Sequence, residues 1–284
     1  ALLAGANLPA SAIVAMSFSG QMMGCLPLDA AGEPLRPAII WADQRATAQA
    51  EQLGQRLGRA RFYHLTGHRP GASYTAAKAM WLQQEQPEVW RQTTRLLQAK
   101  DYVAFRLTGE MATDYSDASG TNLYDLRQRN WSDDALAAAG IPQTMLPPPL
   151  PAATVIGAIT ARAARATGLR QGTPVIIGGG DGGCATVGAG VTSPGAAYCY
   201  LGSSSWISFD AREPLEDPQQ RTFTFAHLDP ALFFPTGTMQ TAGAAYDWLG
   251  RLLNDEPGGV DLAALDALAA AVAPGAEGLL FLPY

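Results

Sequence analysis

The sequence predicts a mixed α/β protein built as two lobes around a crevice, and three observations lead there. Strand-like apolar runs alternate with helix-like segments along all 284 residues, with no internal repeat. A proline-rich stretch, PQTMLPPPLPAATVIG at 142–157, suits neither a helix nor a central strand, because proline lacks an amide donor and fixes its own φ. It divides a first lobe, 1–150, from a second, 151–284. Two apolar runs end in glycine-rich turns, SGQMMG at 19–24 and GGGDGG at 178–183, and ligands of α/β lobes sit at such carboxyl ends of strands.

The elements follow in order. Residues 12–19, AIVAMSFS, read as a buried strand leading into the first of those turns. CLPLDAAGEPLRPAIIW, 25–41, reads as a strand, a turn at Asp29–Gly32 and a return strand ending at Trp41, a hairpin-like opening. From Asp43, which suits an N-cap, the pattern turns helical as far as Phe62. Helices are expected across 75–86 and 101–109, the second with Asp101 as its cap and Gly109 as its stop. ATDYSDASGTNLYD, 112–125, reads as an ordered loop into a short strand. Beyond the prolines, 161–183 reads as helix, turn and strand, followed by a helix rich in Gly and Ala. GAAYCYLGSSSWISFD, 195–210, alternates as two paired strands around a Gly202–Ser204 turn, and helices across 242–254 and 261–273 complete the pattern.

Composition bounds the function. At 48% apolar residues the chain can bury a substantial core, and no apolar run reaches the roughly 20 residues of a membrane-spanning helix. The net charge of −6 arises without acidic or basic blocks, and Lys and Arg are spread evenly, so nucleic acid is a poor partner. Cys25, Cys184 and Cys199 form no CxxC pair and read as reduced thiols, which fits a cytoplasmic protein, as does an opening without the basic leader of a signal peptide. The apolar GLLFLPY at the end has no polar cap and reads as cut.

Asp181 is the only charged side chain between 175 and 190, and its glycine neighbours let a ligand come close to the backbone. A carboxylate there suits a base for a bound hydroxyl, a metal ligand or a turn cap. Gly178, Gly180 and Gly183 fit a GxGxxG dinucleotide spacing, but Asp181 would then face the pyrophosphate and repel it. In SGQMMG, Gln21 offers a polar contact and Met22 and Met23 flexible apolar walls; equally, the methionines fill a core beneath a plain turn. LGSSSW at 201–206 offers consecutive amides and hydroxyls as a phosphate nest, or serves as a hairpin tip, and no GxxxxGK[ST] loop accompanies it. Asp114, Asp117 and Asp125 could be taken for hydrolase acids or a calcium loop but lack the order of an EF-hand, and Asp114 and Asp117 read as turn formers. His64, His68 and His227 show neither ligand spacing nor a triad partner, so no protein metal site is expected.

Taken in order, these pieces resemble the FGGY carbohydrate kinases, and within them the xylulokinase-like group. SGQMMG is similar to that family's SGQMHG, PLRPAIIWADQR to its PLRPAILWNDQR, KAMWL to the core of its first signature, and KDYVAFRLTGEMATDYSDASGT to its KDYLRYRLTGE and TDxSDASGT blocks. GGGDGG followed by LGSSS resembles its GGGDN and LGTS. The resemblance covers nearly the whole chain and implies actin-like or hexokinase-like (ribonuclease H-like) lobes, ATP and magnesium as cofactors, and phosphorylation of a small sugar, a ketose such as D-xylulose or a related pentulose or polyol. It implies Asp181 as general base, Gln21, Met22, Met23, Trp41 and Gly182 at the sugar, Gly202 and Ser203 at phosphate, and Gly243 and Asp247 near the nucleotide. A homodimer is a candidate assembly. Two positions depart from the pattern: Met23 stands for the family's histidine and Gly182 for its asparagine, which removes two polar contacts to a ketose and favours a less polar or differently branched substrate. The family's DxGTxSxR loop and its adenosine motif have no counterpart here, so the chain reads as the middle of a longer kinase, inactive alone. The alternative is a catalytically silent fragment or sensor of the same fold that binds sugar or nucleotide.

Overall fold

The computed structural model describes residues 5–239, 241–253 and 261–282. The expected strand at 12–19 is formed only at its end, as β1 (Ser19–Gly20), with a single parallel bridge from Met16 to Val175 before it. Val14 stays 83% exposed, since this segment has a sheet neighbour on one side alone among the described residues. The hairpin-like opening keeps its turn, where Asp29 Oδ1 accepts the amides of Ala31 and Glu33. Its return strand shrinks to the bridges Leu28–Pro34 and Cys25–Ile39, because Pro34 and Pro37 have no amide to offer a ladder. β2 (Leu26–Leu28) pairs instead with β3 (Arg95–Leu97), antiparallel.

The helix expected from Asp43 is two helices, α1 (Thr47–Leu57) and α2 (Arg59–Thr66), parted at Gly58. Asp43 does not cap it; the carboxylate takes the amide and guanidinium of Arg45 in a turn of its own. α3 (Thr75–Glu85), α4 (Pro87–Gln92) and α5 (Ala99–Thr108) follow, the last ending at a left-handed Gly109. Asp101 lies inside the first turn of α5 and not at its cap, drawn there by an ion pair with Lys100. The loop at 112–125 is more ordered than expected: β4 (Thr113–Asp114), α6 (Tyr115–Ser119) and β5 (Tyr124–Asp125), with Asp114 capping α6 through the amides of Ser116 and Asp117. β6 (Asn130–Trp131) and α7 (Asp133–Ala139) complete a helical layer whose core gathers Leu53, Phe62, Met80, Leu82, Tyr124 and Leu136. Each such side chain contributes roughly 1.5–3 kcal/mol by leaving water.

The proline-rich stretch is fixed against this layer. Trp131 Nε1 donates to Pro147 O at 2.9 Å, and β7 (Pro149–Leu150) pairs with β4. β8 (Val155–Ala158), α8 (Ala161–Thr167), β9 (Pro174–Ile176), β10 (Gly179–Gly180) and α9 (Asp181–Gly188) lead through the second glycine-rich turn. β11 (Ala197–Leu201) and β12 (Ser205–Phe209) are the expected pair around Gly202–Ser204. With β13 (Phe223–Ala226) and β14 (Phe233–Met239) they form an antiparallel sheet ordered β11-β12-β14-β13. α10 (Gly243–Leu253) and α11 (Leu262–Ala270) fall where the late helices were expected.

Candidate functional site

The two glycine-rich turns meet. β1 and β10 run parallel with Ser19 opposite Gly179 and Gly20 opposite Gly180, so Gln21–Met23 leave one strand end and Asp181 leaves the other. Sterics explain the glycines: a Cβ on Gly178, itself at φ +71°, would lie 2.1 Å from Phe18 O, and one on Gly180 would lie 2.5 Å from Met22 Cγ. Asp181 is exposed at the first turn of α9, where the helix dipole favours a carboxylate. Its Oδ1 accepts the Gly182 amide at 2.9 Å. Partial burial raises its pKa, opposed by hydrogen bonds from the amides of Gly182 and Met22, and no described residue forms an ion pair with it. The result is a single carboxylate, open to solvent and more basic than usual.

A buried network holds this strand end from behind. Ser116 Oγ accepts the Gly180 amide at 2.9 Å and donates to Asp114, whose other oxygen takes Lys100 Nζ at 2.9 Å. Lys100 also meets Asp101 at 2.6 Å and Asp117 at 3.2 Å, and all four charged groups are buried. Burial pushes the pKa of Asp101 and Asp117 up; it opposes the charge on Lys100 too, but the three carboxylates outweigh it and raise that pKa. Asp114 does form a turn, as expected, yet its place in this cluster was not visible in the sequence. The only signal was the nearness of KDY and TDYSD to one another in the chain.

The expected sugar-side residues take unequal positions. Met22 is 6% exposed and packs on Phe225 and Phe234, so it walls the turn from beneath. Gln21 and Met23 are half-buried, and Met23 has a left-handed backbone at φ +65°. Trp41 is 54% exposed. A Cβ on Gly182 would meet Met22 Sδ at 3.7 Å and Phe234 Cε2 at 3.8 Å, ordinary contacts that leave room for a side chain. Gly24 closes the turn, its amide bound to Gln98 Oε1 at 3.1 Å and its carbonyl to Thr75 Oγ1 at 2.8 Å. Gln98, Thr75, Ser116 and Lys78 are supports that sequence reasoning missed.

A second group forms at the β11–β12 turn. Gly243 N donates to Gly202 O at 2.8 Å, and the amides of Ala242 and Ala244 donate to Ser203 O at 2.7 and 3.2 Å. The first amides of α10 are therefore spent on the turn, and the groups left for an anion are those of Ser203, which is exposed. Asp247 lies exposed one helical turn further on. The two groups share β14: Phe234 packs beside Gly182, and Met239 pairs with Ser205, five residues or about 17 Å along the strand. Among the described residues no three His, Cys, Asp or Glu side chains gather as a metal site. A magnesium ion would fit only as such ions commonly bind, through one carboxylate and the phosphates of a nucleotide.

The sequence profile of the N-terminal domain of the FGGY family of carbohydrate kinases matches residues 1–188. The xylulose kinase of Bacillus subtilis (strain 168) is 34% identical over 283 residues, covering 100% of this chain and 56% of that protein. The crystal structure of xylulose kinase from Rhodospirillum rubrum superposes with a TM-score of 0.89 at 34% identity, over 95% of this chain and 55% of that one. The gluconate kinase from Lactobacillus acidophilus superposes with a TM-score of 0.88 at 27% identity, again over 95% and 55%. The chain thus has the actin-like α/β fold expected from its sequence, and it spans about half the length of the relatives it matches.

Proposed function

Because this chain belongs to the FGGY family of carbohydrate kinases, we propose that the protein it builds transfers the γ-phosphoryl group of ATP to a hydroxyl of a small sugar, with Asp181 as the general base. The observation that carries the reading is the lone carboxylate of Asp181 at the junction of two strand ends, beside a turn of one polar and two thioether side chains. The sugar, a ketose such as D-xylulose or a related pentulose or polyol, lies against Gln21, Met23 and Gly182 with Trp41 as a wall, while Met22, expected at the sugar, supports the turn from beneath. Asp181 keeps lone pairs beyond the one given to the Gly182 amide, and these accept the proton of the attacking hydroxyl. Ser203 receives phosphate oxygens, Gly202 shapes that turn with its amide given to Ser204 O at 2.9 Å, and Gly243 and Asp247 lie toward the nucleotide. Bound ATP supplies the phosphoryl group and magnesium neutralises the phosphates' charge. Residues 1–150 belong to the sugar lobe and 151–284 to the nucleotide lobe, with Asp181 and the Ser203 turn both on the latter, roughly 17 Å apart along β14. The 284 residues alone are expected to turn over negligibly, in a protein of the cytoplasm.

The test is Asp181→Asn in the full-length protein. The amide keeps the size of the side chain and loses its basicity, so turnover should fall roughly 10²- to 10⁴-fold while sugar affinity stays within a few-fold. A near-normal kcat would return Asp181 to capping its helix. The base must be ionised to act, so kcat/KM should rise with pH through the pKa of Asp181 and be lost on acidification. Because that pKa is raised, this limb should lie above the ordinary carboxylate range and vanish in the Asn variant. ADP release on adding sugar separates turnover from silent binding.

A further inference from the structure

Lys78 is a lysine shut away from the surface. It sits one turn into α3, fully buried, and its ammonium donates to three backbone carbonyls: Met23 at 2.8 Å, Ile40 at 2.7 Å and Ser73 at 2.6 Å. An ammonium has three protons and no acceptor, so this set uses every one of them. The carbonyls belong to three separate segments. One is the turn that carries Gln21–Met23, the second is the edge that ends in Trp41, and the third is the approach to α3.

We propose that Lys78 is a positioning residue that sets the distance between the Met23 turn and the Trp41 wall, and so the width of the sugar pocket; this rests on the function proposed above. Two features support it. Met23 is held in a left-handed backbone conformation that an L residue with a long side chain rarely adopts, and its carbonyl is one that Lys78 binds. Trp41 is half exposed and so is not fixed by packing on all sides, while the carbonyl immediately before it is tied to the same ammonium. Hydrogen bonds to a buried charge are shorter and stronger than neutral ones, so a single group can hold both segments in register.

The experiment measures sugar and ATP kinetics on the full-length protein with Lys78→Met, Lys78→Arg, Trp41→Ala, the Lys78→Met/Trp41→Ala pair, and Leu136→Ala as a core variant in α7. Lys78→Met removes the three donors at nearly constant volume, and the sugar KM should rise about ten-fold or more, with ATP KM and kcat within two-fold. In the Trp41→Ala background the same change should raise sugar KM less than three-fold, because one wall is already gone. Leu136→Ala lowers stability and leaves sugar KM unchanged. The inference is overturned if Lys78→Met leaves sugar KM unchanged, if its effect is undiminished without Trp41, or if it alters all constants together. Should the Met variant not fold, Lys78→Arg decides: it keeps the charge, but a flat guanidinium cannot meet three converging carbonyls, so sugar KM rises selectively or the inference fails. A wild type that phosphorylates no sugar overturns the proposed function and this inference with it, whereas an active wild type with an indifferent Lys78→Met overturns this inference alone.

Discussion

On the proposed function, Met23 and Gly182 are the residues expected to discriminate between sugars. A histidine tolerates the left-handed conformation of residue 23 better than methionine does, and the space beside Gly182 accepts a Cβ without a clash. Met23→His with Gly182→Asn should therefore fold, and in the full-length protein should raise kcat/KM for D-xylulose, relative to the protein's own best substrate, about ten-fold. This follows from roughly 0.5–1.5 kcal/mol for each hydrogen bond restored. A wild type that already prefers D-xylulose among pentuloses, hexuloses and polyols would defeat the argument. Asp181, Gln21 and the two methionines stand out in the sequence as site candidates because each stands at the end of an apolar run among glycines, where local pattern and chemistry coincide. Lys78 could not: a lysine on an Ala-rich helix normally faces water, and its burial depends on carbonyls from three segments that converge only in the folded chain.

At the scale of elements, β9 and β10 reach the site through a turn that only glycine can make. Gly178→Ala adds a methyl 2.1 Å from a backbone oxygen at a left-handed position, so overpacking and backbone strain together should cost about 3 kcal/mol or more. Thermal unfolding should then fall by roughly 10 °C, while Gly182→Ala, with contacts of 3.7 Å and longer, should shift it little. Equal shifts would show that the turn relaxes freely. The helices with clear stops were legible, as at Gly109, and so was the β11–β12 pair. What failed were signals with a rival use. Asp43 and Asp101 look like caps, but each has a basic neighbour that claims its carboxylate, and the prolines at 147–151 are held by the Trp131 indole and by a short pairing of β7 with β4.

At the scale of the whole molecule, one buried histidine makes stability depend on pH. His68 is fully buried against Tyr74 and Phe225, with ring centroids 5.1 and 4.4 Å away, and neither ring nitrogen has a partner among the described residues. Burial pulls its pKa down to about 3. The unfolded chain takes up a proton near pH 6.5 while the folded chain refuses it until about 3, so between these values the unfolded state binds more protons and stability falls on acidification. The slope approaches about 1.4 kcal/mol per pH unit for one such group. His68→Phe should flatten urea-unfolding free energies between pH 4.5 and 6.5 by about one proton; an unchanged slope would mean that His68 already carries its charge when folded. The pairing of Gly20 with Gly180 has a consequence in time as well as in space. At about 5–20 residues per second, a ribosome releases the second partner some 8 to 32 s after the first. Throughout that interval the Gln21–Met23 turn is tied to a strand with an open edge, and the nascent chain has to keep it from other partners until its own glycines arrive.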